Sequence, residues 1–191
     1  KRNFRETIVP YLLRNKAVSL PNQVWSIDIT YIKMQHSHMY LTAIIDWYSR
    51  MIVGWNLSDT LDTIYVIQAV KDAVAAHGTP AILNSDQGCQ FTSNAYKTLL
   101  RELRIRQSMD GKSRWADNVM IERWFRSLKT EEIYLNEHPT PRALRKAVAA
   151  YIQQYNTVRP HQALGYETPE AVYRSCFASP TADLDSLVLA G

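Results

Sequence analysis

The amino-acid sequence predicts an α/β fold in which a mixed β-sheet is flanked by helices. Three short apolar runs near the N-terminus are separated by polar turns, which is typical of an antiparallel meander. After them, segments with helical periodicity alternate with short apolar strands. This order favours an α/β domain whose sheet contains both antiparallel and parallel strand pairs.

The strands are predicted from the spacing and length of the apolar runs. In VWSIDITYI, the residues Trp25, Ile27 and Ile29 alternate with polar ones, which is the two-residue period of a strand. The further strands are expected at 40–46, 51–55, 81–84 and near 105.

The helices are predicted from apolar residues three and four positions apart. The first is expected over 61–77 and ends at Gly78, a residue common just beyond a helix C-terminus. The others are expected over 93–104 and 116–134, from Thr140 with Pro141 in the first turn, and from Thr168 with Pro169.

We expect one core domain with short additions at both ends. Residues 1–20 lack a clear period and carry five basic side chains against one acidic, which indicates a basic linker arm. The core is expected over 21–135, a C-terminal helical extension of it over 136–178, and a tail over 179–191.

Composition excludes several classes of protein. The 191 residues are 46% hydrophobic and 21% charged, as expected for a globular protein with a real core. No apolar run reaches the roughly 18–20 residues of a membrane span, and the first residues lack the apolar stretch of a secretory signal. Two cysteines, Cys89 and Cys176, cannot form a disulfide framework or a four-thiolate zinc site. We therefore expect a cytoplasmic protein without a membrane partner.

Positive charge is concentrated in one part of the chain. The net charge is +4, yet residues 97–129 alone hold nine basic and four acidic side chains. Such a local surplus indicates a polyanionic partner, most commonly nucleic acid. On charge alone, a solvated helix face explains the segment as well.

Three acidic residues are candidates for chemistry. Asp28 lies within the first strand and faces away from Trp25 and Ile27, Asp86 follows a short strand at a glycine turn, and Glu122 lies in a helix. Carboxylates from separate elements that converge are the oxygen ligands that Mg²⁺ requires, and two such ions promote phosphoryl transfer. Each acid by itself is equally consistent with a surface salt bridge.

Several motifs in a fixed order carry a family resemblance. The stretches are PNQVWSIDITYI, IIDWYSRMIVGW, NSDQGCQFTS, WADNVMIERWFRSLKTEEIY and YNTVRPHQALGYETPEAVY. Thirty-five residues separate Asp86 from Glu122, and Lys129 follows seven residues later. Over about residues 20–175 the chain resembles DDE transposases with a retroviral-integrase-like core, in particular the OrfB catalytic subunit of insertion sequences of the IS-three type.

The resemblance implies an RNase H-like fold with a mixed five-stranded sheet, as in the integrase catalytic core. It implies that Asp28, Asp86 and Glu122 are the catalytic triad and bind two Mg²⁺ ions, for which Mn²⁺ substitutes. The implied activity is metal-dependent DNA cleavage and strand transfer in transposition and integration. The implied partners are transposon ends, target DNA and further copies of the chain in a bacterial cytoplasm at the nucleoid, with no small-molecule substrate.

The residues around Glu122 suggest how DNA is held. Helical residues seven apart differ by about 20° of rotation, so Glu122 and Lys129 share a face, which Asn118 and Arg126 extend. An Arg126 pair with Glu122, worth only about 0.2–0.5 kcal/mol, is the structural alternative. Further candidates for DNA contact are Arg123, Lys112, Arg114 and Trp115, the last by stacking on an unpaired base.

Five other residues receive lesser roles. Asp46 is expected to have a structural or turn role and His161 a capping or packing role, and Cys89 has no histidine nearby in sequence to activate it. His36 and His38 lie in a turn without further metal ligands beside them.

Two other functions remain open from the sequence. An RNase H-like nuclease that only hydrolyses shares the same site, so joined products rather than cut ones separate the two activities. A non-catalytic DNA-binding module is a different class, and a Mg²⁺-dependent nicking assay separates it from both enzymes.

Overall fold

A five-stranded mixed sheet forms the centre of the molecule in a computed structural model, which describes residues 8–35, 37–110 and 118–177. The strands lie in the order β3-β2-β1-β4-β5. The β1–β2 and β2–β3 pairs are antiparallel, and the β1–β4 and β4–β5 pairs are parallel. The strand bounds are β1 Val24–Lys33, β2 His38–Asp46, β3 Ile52–Ser58, β4 Ile82–Ser85 and β5 Arg106–Met109. The predicted mixed sheet of five strands is confirmed.

The helices follow the predicted order with two additions. Their bounds are α1 Thr63–His77, α2 Cys89–Thr92, α3 Asn94–Glu102, α4 Val119–Leu128, α5 Pro141–Thr157 and α6 Pro169–Ser175. The short α2 and a 3₁₀ turn over Gln162–Leu164 were not expected from the periodicity. The predicted long helix continues past α4 as a π-helical turn over Lys129–Ile133.

Local sequence explains where the helices begin. The side-chain oxygens of Ser93, Thr140 and Thr168 each accept a hydrogen bond from a backbone N–H three residues later, which satisfies one free donor of the first turn. At the end of α1, Gly78 adopts a φ of +82°, a conformation that residues with a Cβ atom rarely take.

Helices cover both faces of the sheet. On one face, Trp25 and Ile27 of β1 pack with buried residues of α1 and α3. On the other face, Leu41, Ala43 and Ile45 of β2 pack with buried residues of α4 and α5. Because β1 lies third of the five strands and both its faces are covered, any polar side chain within it is held in a rigid setting.

Both ends of the described part of the chain lie against this core. In the predicted arm, residues 8–20 form neither helix nor strand, but Leu13 is buried and the Leu12 N–H donates to Ser108 Oγ over 3.0 Å. At the other end, Tyr173 of α6 donates its hydroxyl to Asn22 Oδ1 or to the carbonyl of His77, at 3.0 Å from each. The predicted tail, 179–191, lies outside the described residues. Within the described ranges, every helix is too short or too polar to cross a bilayer.

Candidate active site

The first candidate carboxylate, Asp28, lies in the middle of the central strand. It pairs with Ala43 of β2, and its side chain is on the face that α4 and α5 cover. It is half-buried, and its Oδ1 accepts a 2.7 Å hydrogen bond from the N–H of Ile29. The strand thus places the Asp28 carboxylate under a helix. Among the described residues, no basic side chain donates a hydrogen bond to it.

The second carboxylate, Asp86, is the first residue after β4. The parallel register pairs Ser26 with Asn84, so two residues further along each chain Asp28 and Asp86 are neighbours on the same face. Asp86 is exposed, and its Oδ1 accepts a 2.9 Å hydrogen bond from the N–H of Gly88. This turn holds the carboxylate at the carboxyl end of the strand, where open α/β sheets bind ligands.

The third carboxylate, Glu122, lies in the first turn of α4. The buried residues of that helix pack on the sheet, which leaves Glu122 exposed beside β1; they are Ile121, Trp124, Phe125 and Leu128. Between α4 and β1 a cleft of about 320 Å³ opens. The cleft is lined by Asp28, Ile29, Thr30, Glu122, Phe125, Arg126, Lys129, Thr130 and Tyr134.

Neighbouring acids affect the ionisation of Asp28. Its pKa is raised from 3.8 to about 7, chiefly by burial, with smaller contributions from the negative charges of Asp86, Glu122 and Asp110 and an opposing effect of the Ile29 N–H. Like charges that raise a pKa in this way lie close in space. Of the three candidate acids, Asp28 and Glu122 line the cleft, and convergence of all three on one metal site stays a prediction.

The chemistry of these donors fits a hard divalent cation, because all are carboxylate oxygens. In the part of the chain that the structure describes, however, no three acidic, histidine or cysteine side chains lie close enough together to enclose an ion. Asp28 and Asp86 are instead hydrogen-bonded to the backbone N–H groups of Ile29 and Gly88.

Two cations stand beside the carboxylates in the cleft. Arg126 is exposed, and Lys129 is half-buried with its Nζ 5.0 Å from the centre of the Tyr31 ring. Partial burial lowers the pKa of Lys129. Among the described residues, the ion pairs that form do not include one between Glu122 and Arg126. The charge of Arg126 is therefore available to a ligand.

Of the other predicted DNA contacts, the two that the structure describes do not line the cleft. Asn118 is buried at the N-cap position of α4, and Arg123 is exposed on that helix without lining the cleft. The remaining three, Lys112, Arg114 and Trp115, lie outside the described residues. Contact of these five side chains with DNA stays a prediction.

Sequence reasoning missed two groups of residues at the site. Asp110 follows β5 as Asp86 follows β4, and its Oδ1 accepts a 2.7 Å hydrogen bond from Asn84 Nδ2. The available signal was that acids after adjacent parallel strands meet at one edge of the sheet. Tyr134, 70% exposed, lines the cleft because the π-helical turn joins its N–H to the carbonyl of Lys129.

Two of the lesser candidates, Asp46 and His161, make the structural contacts expected of them. Asp46 is fully buried and accepts hydrogen bonds from Ser49 and Asn22, which is a structural role. The ring of His161 packs edge-on against Tyr155, with 4.7 Å between their centres. Cys89 is exposed at the start of α2. Of the two turn histidines, His36 lies outside the described residues.

Comparison with protein families accounts for this arrangement. Two models described as integrase core domain match the chain, one over residues 18–114 and one over residues 103–169. The chain belongs to the integrase core domain family. The matched segments together contain all three acids, so Asp28, Asp86 and Glu122 lie within the family's core.

Curated relatives of this integrase core are transposases of insertion sequences. The transposase of the element IS904 from Lactococcus lactis is 36% identical over 153 residues, which are 78% of this chain and 60% of the relative. The transposase InsF of IS3A from Escherichia coli is 33% identical over 153 residues, 78% of this chain and 53% of the relative. The chain thus spans between half and two thirds of the length of these relatives.

Solved structures show the same fold. The dimeric form of the HTLV-2 integrase catalytic core domain in complex with magnesium superimposes with a TM-score of 0.66 at 20% identity, covering 81% of this chain and 97% of that one. A chain of the simian T-cell lymphotropic virus intasome gives 0.74 at 20% identity, covering 92% and 62%. The RNase H-like fold predicted for this integrase core is confirmed.

Proposed function

We propose that this integrase core is the catalytic domain of a transposase that cleaves and joins DNA as a Mg²⁺-dependent polynucleotidyl transferase. The observation that supports the proposal is a cleft lined by Asp28, Glu122, Arg126 and Lys129, in which the negative charges of Asp86 and Glu122 act on the half-buried Asp28. The relatives named as insertion-sequence transposases support DNA transposition as the process. The magnesium in the HTLV-2 integrase complex supports this choice of metal.

Asp28, Asp86 and Glu122 are the residues that would hold the metal, as two Mg²⁺ ions or with Mn²⁺ in their place. Bound there, the metal supplies activation of the attacking oxygen and charge stabilisation at the scissile phosphate. Because the pKa of Asp28 lies at about 7, this side chain is protonated in a fraction of the protein molecules near neutral pH. Cation binding therefore competes with that proton, which makes metal affinity rise with pH.

The cations of the cleft bind and orient the substrate. Lys129 and Arg126 lie on the same wall as Glu122, where they can hold phosphates next to the scissile one. The contact with the Tyr31 ring positions the Lys129 ammonium, and Tyr134 offers an exposed aromatic face at the cleft rim. An unpaired base at a DNA end can stack on such a face.

Hydrolysis and strand transfer can share this one cleft. In the first reaction water attacks a phosphodiester and displaces a 3′-hydroxyl, which leaves a 5′-phosphate. In the second that 3′-hydroxyl attacks another DNA phosphodiester and displaces the 3′-oxygen of the attacked strand, which leaves as a hydroxyl. The cleft holds the scissile phosphate in both, and no covalent protein–DNA link is needed. We propose that both occur on transposon ends and target DNA, by an oligomer of this chain in a bacterial cytoplasm.

The test is a cleavage and joining assay on labelled duplex DNA in Mg²⁺ and in Mn²⁺. Asp86→Asn and Glu122→Gln keep shape but remove ligand charge, so each should lower cleavage by about 10³-fold, the worth of several kcal/mol. Glu102→Gln, an exposed acid at the end of α3, is the matched control and should cleave normally. Variants that cleave at the parent's rate would remove their residues from the triad.

The products decide between the enzyme classes. Joined strands support the transferase, whereas cut strands alone identify the nuclease that only hydrolyses. DNA binding without any Mg²⁺-dependent nicking would identify the non-catalytic DNA-binding module.

A further inference from the structure

A second group of basic side chains lies on α5, away from the cleft. Arg142, Arg145 and Lys146 project from the first two turns of this helix beside Trp55 of the edge strand β3. These four residues are called the α5 basic surface. It lies outside the charge-rich segment 97–129 and contains none of the predicted DNA contacts.

The positive charge of the α5 basic surface is not neutralised by the protein. All three cations are exposed, and the 17 residues of α5 include no aspartate or glutamate. Among the described residues, none of the three forms an ion pair with a carboxylate. Within the described ranges, no carboxylate therefore compensates this charge.

The placement of these cations also opposes helix stability. Positive charge near a helix N-terminus is unfavourable, because the free N–H groups there are partially positive. Arg142 stands three residues from Arg145 and four from Lys146, and like charges at these spacings repel. A surface that is unfavourable for the isolated protein and unpaired within it points to an anionic partner.

One of the cations is held in a fixed orientation. The guanidinium of Arg145 donates a hydrogen bond to the carbonyl of Leu57, and its Cζ lies 5.9 Å from the centre of the Trp55 ring. An open groove of about 710 Å³ runs between β3 and α5 at this point. A guanidinium fixed by its ring contact keeps further N–H donors in a planar array, which matches phosphate oxygens.

The α5 basic surface and the candidate active site share one face of the sheet. Asp28 pairs with Ala43, and Ala43 pairs with Trp55, so these three residues form one row across β1, β2 and β3. Two strand spacings, about 10 Å, separate the ends of the row. A duplex that reaches the cleft therefore passes within reach of α5 and its basic side chains.

We propose that the α5 basic surface binds the sugar-phosphate backbone of the duplex DNA whose scissile phosphate lies in the cleft. This inference rests on the proposed function. The contacts are to phosphates, because lysine and arginine side chains without a base-reading element in a groove recognise charge rather than sequence. Binding through this surface is accordingly independent of DNA sequence and dependent on salt.

The test compares two pairs of charge-removing substitutions in the full chain. Arg142→Gln with Lys146→Gln removes two charges from the α5 basic surface. Lys16→Gln with Lys71→Gln removes two exposed charges, one from the N-terminal arm and one from α1 on the opposite face of the sheet. Binding of random-sequence duplex DNA is measured by fluorescence anisotropy in EDTA over a range of NaCl concentrations, and circular dichroism confirms folding.

The expected result is a change in the log–log salt slope confined to the α5 pair. Each lost phosphate contact should flatten the slope by about 0.9, so the α5 pair should flatten it by roughly 1.8 and the control pair by much less. If both pairs flatten the salt slope equally, the change in slope comes from the lower net charge of the protein, and the proposal is overturned. An unchanged slope with altered self-association in sedimentation would make the surface an interface between copies, which also overturns it.

Failure of this inference differs from failure of the proposed function. If the parent neither cuts nor joins DNA in Mg²⁺ while the salt slopes still differ as expected, the proposed activity is wrong and the DNA contact stands. If the parent cuts and joins DNA while both pairs keep the parent's slope, the activity stands and the α5 contact is wrong.

Discussion

Asp28 and Asp46 lie on the same antiparallel strand pair and are surrounded in opposite ways. Asp46, at the end of β2, accepts hydrogen bonds from Ser49 N–H and Oγ and from the N–H of Asn22, at 2.7 to 2.8 Å. Asp28, in the middle of β1, accepts one from Ile29 and faces the charges of three other acids. Burial raises the pKa of both. Asp46 thus stabilises a turn, whereas Asp28 is destabilised by neighbouring negative charges, as expected for a carboxylate that binds a cation.

The same substitution at the two positions should have opposite effects on stability. Asp46→Asn places an amide donor where donors already point, so unfolding free energy should fall by about 3 kcal/mol. Asp28→Asn removes a charge from a cluster of like charges, so the metal-free protein should become more stable. Urea unfolding at pH 8 in EDTA measures both. Two shifts of the same sign would contradict the contrast.

The contribution of Asp28 to the unfolding free energy should depend on pH. Its pKa rises from 3.8 to about 7 on folding, so the folded state binds the proton more tightly than the unfolded chain. Stability from this group is complete below pH 4 and is lost as pH rises through 7. In EDTA, between pH 4 and pH 7, the unfolding free energy of the parent should therefore fall by on the order of 2 kcal/mol relative to that of Asp28→Asn. This figure includes a reduction for solvent screening.

Melting curves of the parent and of Asp28→Asn, taken across that pH range, give the difference directly. Adding millimolar Mg²⁺ should remove most of it in the parent, since a cation replaces the proton. A constant difference at all pH values would show that Asp28 does not titrate in this window.

The smallest expected effect concerns the hydroxyl that binds Asp46. Ser49→Ala removes the hydroxyl's hydrogen bond to the buried Asp46 and the 3.2 Å hydrogen bond that the hydroxyl accepts from the N–H of Met51, but it keeps the bond from the Ser49 N–H to Asp46. Unfolding free energy should fall by about 1 kcal/mol, while Mg²⁺-dependent nicking remains at the parent's rate. Parallel losses of stability and nicking would mean that the Asp46 turn also positions the cleft.

The sequence predicts the Asp28 side of this comparison better than the Asp46 side. A charged residue within the alternating pattern of β1 is conspicuous, and the 35 residues between Asp86 and Glu122 follow a family pattern. The partners of Asp46 include Asn22, which is 24 residues away and comes near only when β1 and β2 pair. Hydrogen bonds of this kind depend on tertiary structure and leave no periodic signal.

Other features were beyond sequence reasoning for similar reasons. Apolar spacing indicated a helix through Lys129–Ile133, but it does not distinguish a π-helical turn from an α-helical one. Asp110 looked like an ordinary loop acid until the order of β4 and β5 placed it beside Asp86. The α5 basic surface joins residues that are about 90 positions apart, so no charge count along the chain reveals it.

The central position of β1 also determines how the site comes apart. An amide in the middle of a sheet exchanges its hydrogen for deuterium through global opening, while amides in the first turn of a helix exchange through smaller, independent fluctuations. Asp28 is anchored in the first kind of structure and Glu122 in the second. The backbone amide of Glu122 is therefore expected to exchange before that of Asp28.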